Sequence, residues 1–209
     1  MSSTNNKHSY NLSEGSIQKS LIRMTTPMII GMFMLFTFSL VDTLFISFLG
    51  TEALAAISFT FPVTFTIMSL AIGLGIGASA VVGKYLGRSE YEKAKEASTV
   101  INYISLLFAT IVVAICWLFM DSIFHLMGAR ESLMAVIKEY MVVWLPGSIM
   151  IVCIMTGNSI LRACGDTKTP SILMAAAGLI NVFLDPIFIF GLGPMPALGI
   201  QGAAWATII

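Results

Sequence analysis

The chain has 209 residues, of which 57% are hydrophobic and only 11% are charged, and its mean hydropathy is +0.91. A soluble domain of this size usually carries about 25% charged residues, so most of this surface faces something other than water. The 11 Lys and Arg balance the 11 Asp and Glu, and this balance excludes a basic, nucleic-acid-binding protein.

The first 25 residues are polar and are predicted to form an amino-terminal tail. They include Lys7, Lys19 and Arg23, and they contain no short apolar core followed by a small-residue cleavage site. We therefore expect no cleaved signal peptide. Residues 26–209 are predicted to form one transmembrane lobe.

Five apolar stretches are long enough to cross a hydrocarbon core, which takes about 20 helical residues. They cover residues 26–48, 59–83, 99–120, 138–161 and 170–192. A sixth begins at Gly199, and its residues up to Ile209 would form about 16 Å of helix at 1.5 Å per residue, or half a crossing. The predicted fold is therefore an all-α membrane protein, a six-helix transmembrane bundle with a truncated sixth helix.

Positive charge is divided unequally between alternate loops. Nine of the 11 Lys and Arg lie in the tail, after span two or after span four, and the other loops hold only Arg130 and Lys138. Because Lys and Arg are retained on the cytoplasmic side during insertion, this pattern predicts a cytoplasmic amino terminus. The loop after span five is then external.

Proline and glycine interrupt several spans. Pro27 and Pro186 lie at the edge of span one and inside span five, where each removes a helical hydrogen bond, so we predict bends there. Gly73, Gly75 and Gly77 of span two follow no strand and are interpreted as sites of close helix packing rather than as a nucleotide-binding loop.

Two carboxylates interrupt the apolar spans, namely Asp42 in FSLVDTLFIS and Asp185 in INVFLDPIFIF. At 1.5 Å per residue, both lie about 22–24 Å from the predicted cytoplasmic end of their spans, and thus at one depth. A charge at this depth costs several kcal/mol on insertion scales, so such residues usually face a protein interior or an aqueous cavity. Asn181 precedes Asp185 by one helical turn and shares its face.

Two carboxylates and an amide carbonyl are hard oxygen ligands that suit Na⁺ or a proton. Asp42, Asn181 and Asp185 are therefore predicted to bind a coupling ion, with Na⁺ as the candidate metal. The alternative is that these groups only join helices by hydrogen bonds, although two acids at matched depth are a costly means of doing so.

The chain resembles the multidrug and toxic compound extrusion (MATE) family of transporters at these same residues. The resemblance covers almost the whole chain from Pro27 onward. Its residues are the early proline, VDTLFISFLG, GKYLGR after span two, LRACGDTKTP between spans four and five, and NVFLDPIFIFGLG in span five.

The resemblance implies one lobe of a twelve-helix transporter that exchanges inward Na⁺ or H⁺ for outward organic cations or drugs across the cell membrane. It also implies that the chain is not an enzyme, that it needs no cofactor besides the coupling ion, and that a carboxy-terminal lobe is its partner in the bilayer. The cation site of the family falls on Asp42, Asn181, Asp185 and Thr207, and its bending proline on Pro27. The PMPA stretch makes the loop before Thr207 longer than is common in the family. The match of Thr207 to the family's site is therefore weaker than that of the other three residues.

Three other functions compete with this interpretation. A lipid-linked oligosaccharide flippase of the same superfamily generally needs cationic residues in its cavity, whereas the predicted span interiors hold no Lys or Arg. An intramembrane aspartyl protease would use Tyr-Asp and Gly-x-Gly-Asp, but this chain has Val41-Asp42 and Leu184-Asp185-Pro186. A membrane scaffold without transport activity is the third.

Overall fold

The structure is a computed structural model that describes residues 17–192 and 196–209. Within these ranges it contains seven helices and no strand. The helices are α1 (Ile17–Ser47), α2 (Thr51–Gly87), α3 (Tyr91–Leu118), α4 (Met120–Leu126), α5 (Glu131–Ala163), α6 (Lys168–Phe190) and α7 (Ile200–Ile208). The first 16 residues of the predicted tail and part of the PMPA loop, residues 193–195, lie outside the described residues.

The all-helical prediction and its five spans are confirmed, because α1, α2, α3, α5 and α6 are each long and apolar enough to cross a membrane. The helices are longer than the apolar runs. α2 begins at Thr51, α3 at Tyr91 and α5 at Glu131, seven or eight residues before the predicted spans. The short helix α4 was not predicted, since its residues were assigned to an external loop.

The helices α2, α3 and α5 pack on one another, and α5 is the most buried of the five spans. Buried residues of α2 and α5 recur at intervals of three or four and so occupy one face of each helix, as at 67, 71, 75, 78 and 82 of α2 and 137, 141, 145, 148 and 152 of α5. We call these three helices the central bundle.

A close contact joins α2 to α5 inside the central bundle. Gly75 leaves room for the Ser159 side chain, which would collide with a Cβ at position 75. The Ser79 hydroxyl donates a hydrogen bond to the Ser159 carbonyl at 2.8 Å, and Arg162 donates to the Ser159 hydroxyl at 2.8 Å. The prediction of close helix packing is therefore correct at Gly75, but it is wrong at Gly73 and Gly77, where an added Cβ would meet nothing within 4 Å.

The helices α1 and α6 form a second unit, the α1–α6 pair, because α1 packs mainly on α6. A Cβ at Gly31 would meet Ser171 at 3.5 Å, and a Cβ at Gly178 would overlap the Phe38 ring. Both contacts join residues 140 positions apart, so the two helices run parallel and keep their register from Gly31 to Phe38.

Helix α1 is otherwise sparsely covered. Phe33, Phe36 and Leu40 are each at least 70% exposed, in contrast with the fully buried Leu145 of α5. The hydroxyls of Thr26, Thr37 and Thr43 donate to carbonyls of their own helix four residues earlier. Among the described residues, α1 therefore makes no side-chain hydrogen bond to another helix.

The short helix α7 packs on α5 and α6. Gly191 ends α6 with φ 72°, a left-handed conformation that glycine adopts without steric cost. Gly202 lies against the Phe188 backbone, where a Cβ would overlap the carbonyl oxygen. The predicted start of a sixth helix is thus present, and it is held against the end of α6.

Candidate functional site

The structure places the two membrane carboxylates on adjacent, parallel helices. Asp42 lies five residues before the end of α1 at Ser47, and Asp185 lies five residues before the end of α6 at Phe190. The α1–α6 register puts Asp42 within one helical turn of the level of Asp185. The two groups are close enough for their charges to interact.

Asn181 contacts one of the two acids directly. Its amide nitrogen donates to Asp185 Oδ1 at 3.4 Å, a long bond between residues one helical turn apart. In this orientation the amide carbonyl of Asn181 keeps its capacity to accept a donor or bind a cation.

Each acid retains one buried oxygen without a hydrogen-bond partner among the described residues, Asp42 Oδ1 and Asp185 Oδ2. Asp185 is completely buried, whereas Asp42 is half-buried. An unpartnered, buried carboxylate oxygen is costly, because it has lost its water and gained no donor. A proton or a metal cation between the carboxylates would offset that cost.

Tyr140 of α5 belongs to the same neighbourhood, although the sequence did not reveal it. The residue is buried, and both Asp42 and Asp185 act on its phenol electrostatically. A tyrosine near the start of a predicted span is usually interpreted as an anchor at the membrane interface. The residue type therefore did not indicate a role near the acids. Tyr140 therefore lies near the acids, although it belongs to the central bundle.

The other predicted site residues are Thr207, Pro27 and Pro186, and each of them lies within a helix. The Thr207 hydroxyl donates to the Ala203 carbonyl of its own helix at 2.9 Å, and no hydrogen bond joins it to either acid in the described part of the chain. Pro27 and Pro186 lie inside α1 and α6, which continue through them. Their role as bending points therefore stays a prediction.

Aromatic side chains lie on the outer side of the acids, toward the ends of both helices. Phe190 of α6 meets Phe45 of α1 edge to face, with ring centroids 6.3 Å apart, and its centroid lies 6.5 Å from that of Phe48. These rings therefore join the ends of α1 and α6 beyond the two acids.

The donor set limits the ions that the site can hold. Within residues 17–192 and 196–209, no group of three or more His, Cys, Asp or Glu could hold a metal ion. Two carboxylates and one amide would provide oxygen ligands that suit a proton or Na⁺ better than a transition metal, so the predicted ion site stays a prediction.

The fold defines a multi-pass α-helical membrane protein with a pair of carboxylates inside its helical lobe. The MatE family model matches residues 27–187, which is most of the chain. The protein belongs to this family of transporters, as the sequence motifs predicted.

Among characterised relatives, the FAD transporter of Shewanella oneidensis is 44% identical over 206 residues, which cover 97% of this chain and 45% of the relative. The multidrug export protein MepA of Staphylococcus aureus is 29% identical over 201 residues, 96% of this chain and 44% of the relative. The chain thus spans a little under half the length of these proteins.

A solved transporter structure has the same fold over the part that aligns with this chain. The outward-facing conformation of a multidrug resistance MATE family transporter of the MOP superfamily aligns with a TM-score of 0.85 at 36% identity. The alignment covers 93% of this chain and 42% of that transporter. The five spans and the start of a sixth therefore correspond to a little under half of a MATE transporter.

Proposed function

We propose that this chain is the ion-coupling lobe of an exporter that moves organic compounds out of the cell in exchange for inward Na⁺ or H⁺. The observation that carries the proposal is the pair of unpartnered, buried oxygens of Asp42 and Asp185 on parallel helices. Such a pair needs a cation, and the family consists of transporters.

The coupling step follows from the charges of the site. When both acids are ionised they repel each other, and this repulsion favours a wider separation of α1 and α6. A proton or Na⁺ between them removes the repulsion and favours closer packing. An ion that binds one arrangement better than the other shifts the balance between the two, and that shift can drive exchange.

Pro27 and Pro186 are proposed as the points where the helices accommodate this change. Each proline leaves one backbone carbonyl of its helix without the usual donor, so bending there costs less than elsewhere. Thr207 stays in the proposal as an additional oxygen ligand, reached when α7 changes position relative to α1.

We favour organic cations or other drugs as the exported compounds, in line with the multidrug export relative. Export of a flavin dinucleotide is a second candidate, because a relative at 44% identity is named an FAD transporter. Vesicles loaded with FAD or with an organic cation dye would discriminate the two. FAD is a dianion and needs cationic residues along its path, whereas the dye does not.

We further propose that the chain lies in the cell membrane, with its amino terminus in the cytoplasm and a second lobe of similar size beside it. The nine-to-two division of Lys and Arg supports the orientation, and the length of the relatives supports the second lobe. A cysteine at Ser89, but not at Pro196, should be protected from an impermeant thiol reagent in intact cells. Labelling of Ser89→Cys with protection of Pro196→Cys would reverse the orientation.

The central test replaces each acid by its near-isosteric amide in the full chain. Asp42→Asn and Asp185→Asn should each abolish gradient-driven efflux in proteoliposomes, while insertion and thermal stability are kept, because a neutral amide lowers the insertion cost. Asn102→Asp adds an acid elsewhere, at a half-buried position of α3, and serves as a control for altered charge. Normal efflux by both amide variants would exclude the coupling site.

A further inference from the structure

A groove of about 440 Å³ runs along the membrane face between α2 and α3, away from the carboxylate pair. Apart from two serines its walls are apolar. Its principal wall residues are Leu70, Gly73, Gly77, Val81, Ile104 and Phe108. Neither the two acids nor their aromatic neighbours line this groove.

Two glycines keep this groove open. A Cβ added at Gly73 or Gly77 would meet nothing within 4 Å, whereas the intervening Gly75 faces α5 and is tightly covered. Gly73 and Gly77 are one helical turn apart, so both missing side chains leave space on the same face of α2. The groove is therefore free volume that no described residue fills.

The length of the groove suits an acyl chain. It follows α2 from Ser69 to Val81, which corresponds to about 18 Å at 1.5 Å per residue. One leaflet of a hydrocarbon core is about 15 Å thick, half of the roughly 30 Å that a transmembrane helix must span. A single lipid tail fits this extent, whereas a helix of another lobe or of a second copy would need a longer surface.

Two cations continue the same face of α2 beyond the end of the groove. Lys84 and Arg88 follow Val81 by three and seven residues, so their side chains extend the groove face past the apolar region. Both are exposed, and neither forms an ion pair with another described residue. They lie where a lipid headgroup would lie if its tail occupied the groove.

We propose that this groove is a binding site for an anionic phospholipid, with one acyl chain over Gly73 and Gly77 and the headgroup phosphate on Lys84 and Arg88. An apolar channel closed by unpaired cations matches the chemistry of such a lipid at both ends. The site is independent of the exported compound and of the coupling ion.

The test uses the full chain in proteoliposomes with phosphatidylglycerol or phosphatidylcholine, each carrying a photoactivatable group in one acyl chain. Labelled peptides are mapped by mass spectrometry. At equal mole fraction, phosphatidylglycerol should label residues 69–81 and 101–108 about 25-fold more than phosphatidylcholine, since each of the two basic residues contributes about fivefold. The double variant Lys84→Gln/Arg88→Gln should bring the two lipids to the same level.

Gly77→Leu, and independently Gly73→Leu, should abolish labelling of the groove by filling it without a steric clash. Gly83→Leu is the matched control, because position 83 is also uncrowded on α2 but does not line the groove. Labelling should survive in that variant. Equal labelling by the two lipids in the unsubstituted chain, labelling that persists in both groove variants, or a groove that no lipid labels because protein covers it would each overturn the proposal.

Discussion

The helices of the central bundle and those of the α1–α6 pair pack in different ways. In the central bundle, α5 buries a continuous face that includes Leu145 and Met141, and a hydrogen bond from Ser79 joins α2 to α5. In the pair, α1 meets α6 through Gly31 and Phe38 and leaves most of its other faces uncovered.

This difference in packing affects how strongly the helices of each unit resist displacement. Buried, interlocked side chains resist displacement, because moving one opens a void beside its neighbours. A helix that touches mainly one partner can move with little loss of contact. The proposed ion site has one acid on each helix of the pair, and the buried Tyr140 of the central bundle lies near them.

The largest expected effect comes from truncating the central bundle. Leu145→Ala should lower the free energy of unfolding by about 2–5 kcal/mol, because it leaves a cavity among fully buried side chains. Leu40→Ala on α1 is the matched control, since Leu40 is 72% exposed, and it should change stability by less than about 0.5 kcal/mol. Thermal unfolding in detergent measures both, and equal losses would remove the contrast between the two units.

An intermediate effect is expected where α1 and α6 interlock. Gly178→Ala should cost about 1–3 kcal/mol and slow efflux, because the new methyl group overlaps the Phe38 ring. Phe38→Ala should relieve that overlap, so the double variant should be more stable than Gly178→Ala alone. Strictly additive losses in this cycle would show that the two residues do not form the contact that sets the register.

The smallest expected effect tests the link between the two units. Tyr140→Phe removes only the hydroxyl near the acids and should slow gradient-driven efflux about fivefold, equivalent to about 1 kcal/mol, without altering the fold. Tyr103→Phe is a control on the exposed surface of α3. Equal rates for both variants and the unsubstituted chain would place Tyr140 outside the coupling mechanism.

The sequence predicted the five spans well because a span is defined by a long run of apolar residues, and such runs are visible without tertiary information. It underestimated the helices that begin at Thr51, Tyr91 and Glu131, since the first turn of each contains a glutamate and the spans were drawn to start after it. The helix α4 was missed for the same reason, because it is short and includes Asp121 and His125.

The candidate site was predicted in part. Asp42 and Asp185 were found because an acid inside an apolar run is conspicuous, and helical spacing then indicated Asn181. Tyr140 could not be found in this way, since its relation to the acids depends on how α5 packs against α1 and α6. The partner of the Thr207 hydroxyl, which is the Ala203 carbonyl of its own helix, could likewise not be assigned from the sequence.

The threonines of α1 have a consequence for the energetics of transport. Because Thr26, Thr37 and Thr43 satisfy their hydroxyls within their own helix, a rigid displacement of α1 breaks none of these hydrogen bonds. The resistance to such a displacement then comes from dispersion contacts, which change gradually with distance, and from the charges near Asp42. In the proposed mechanism, a single bound cation would therefore add its hold on α1 to that of the Phe38 contact with Gly178.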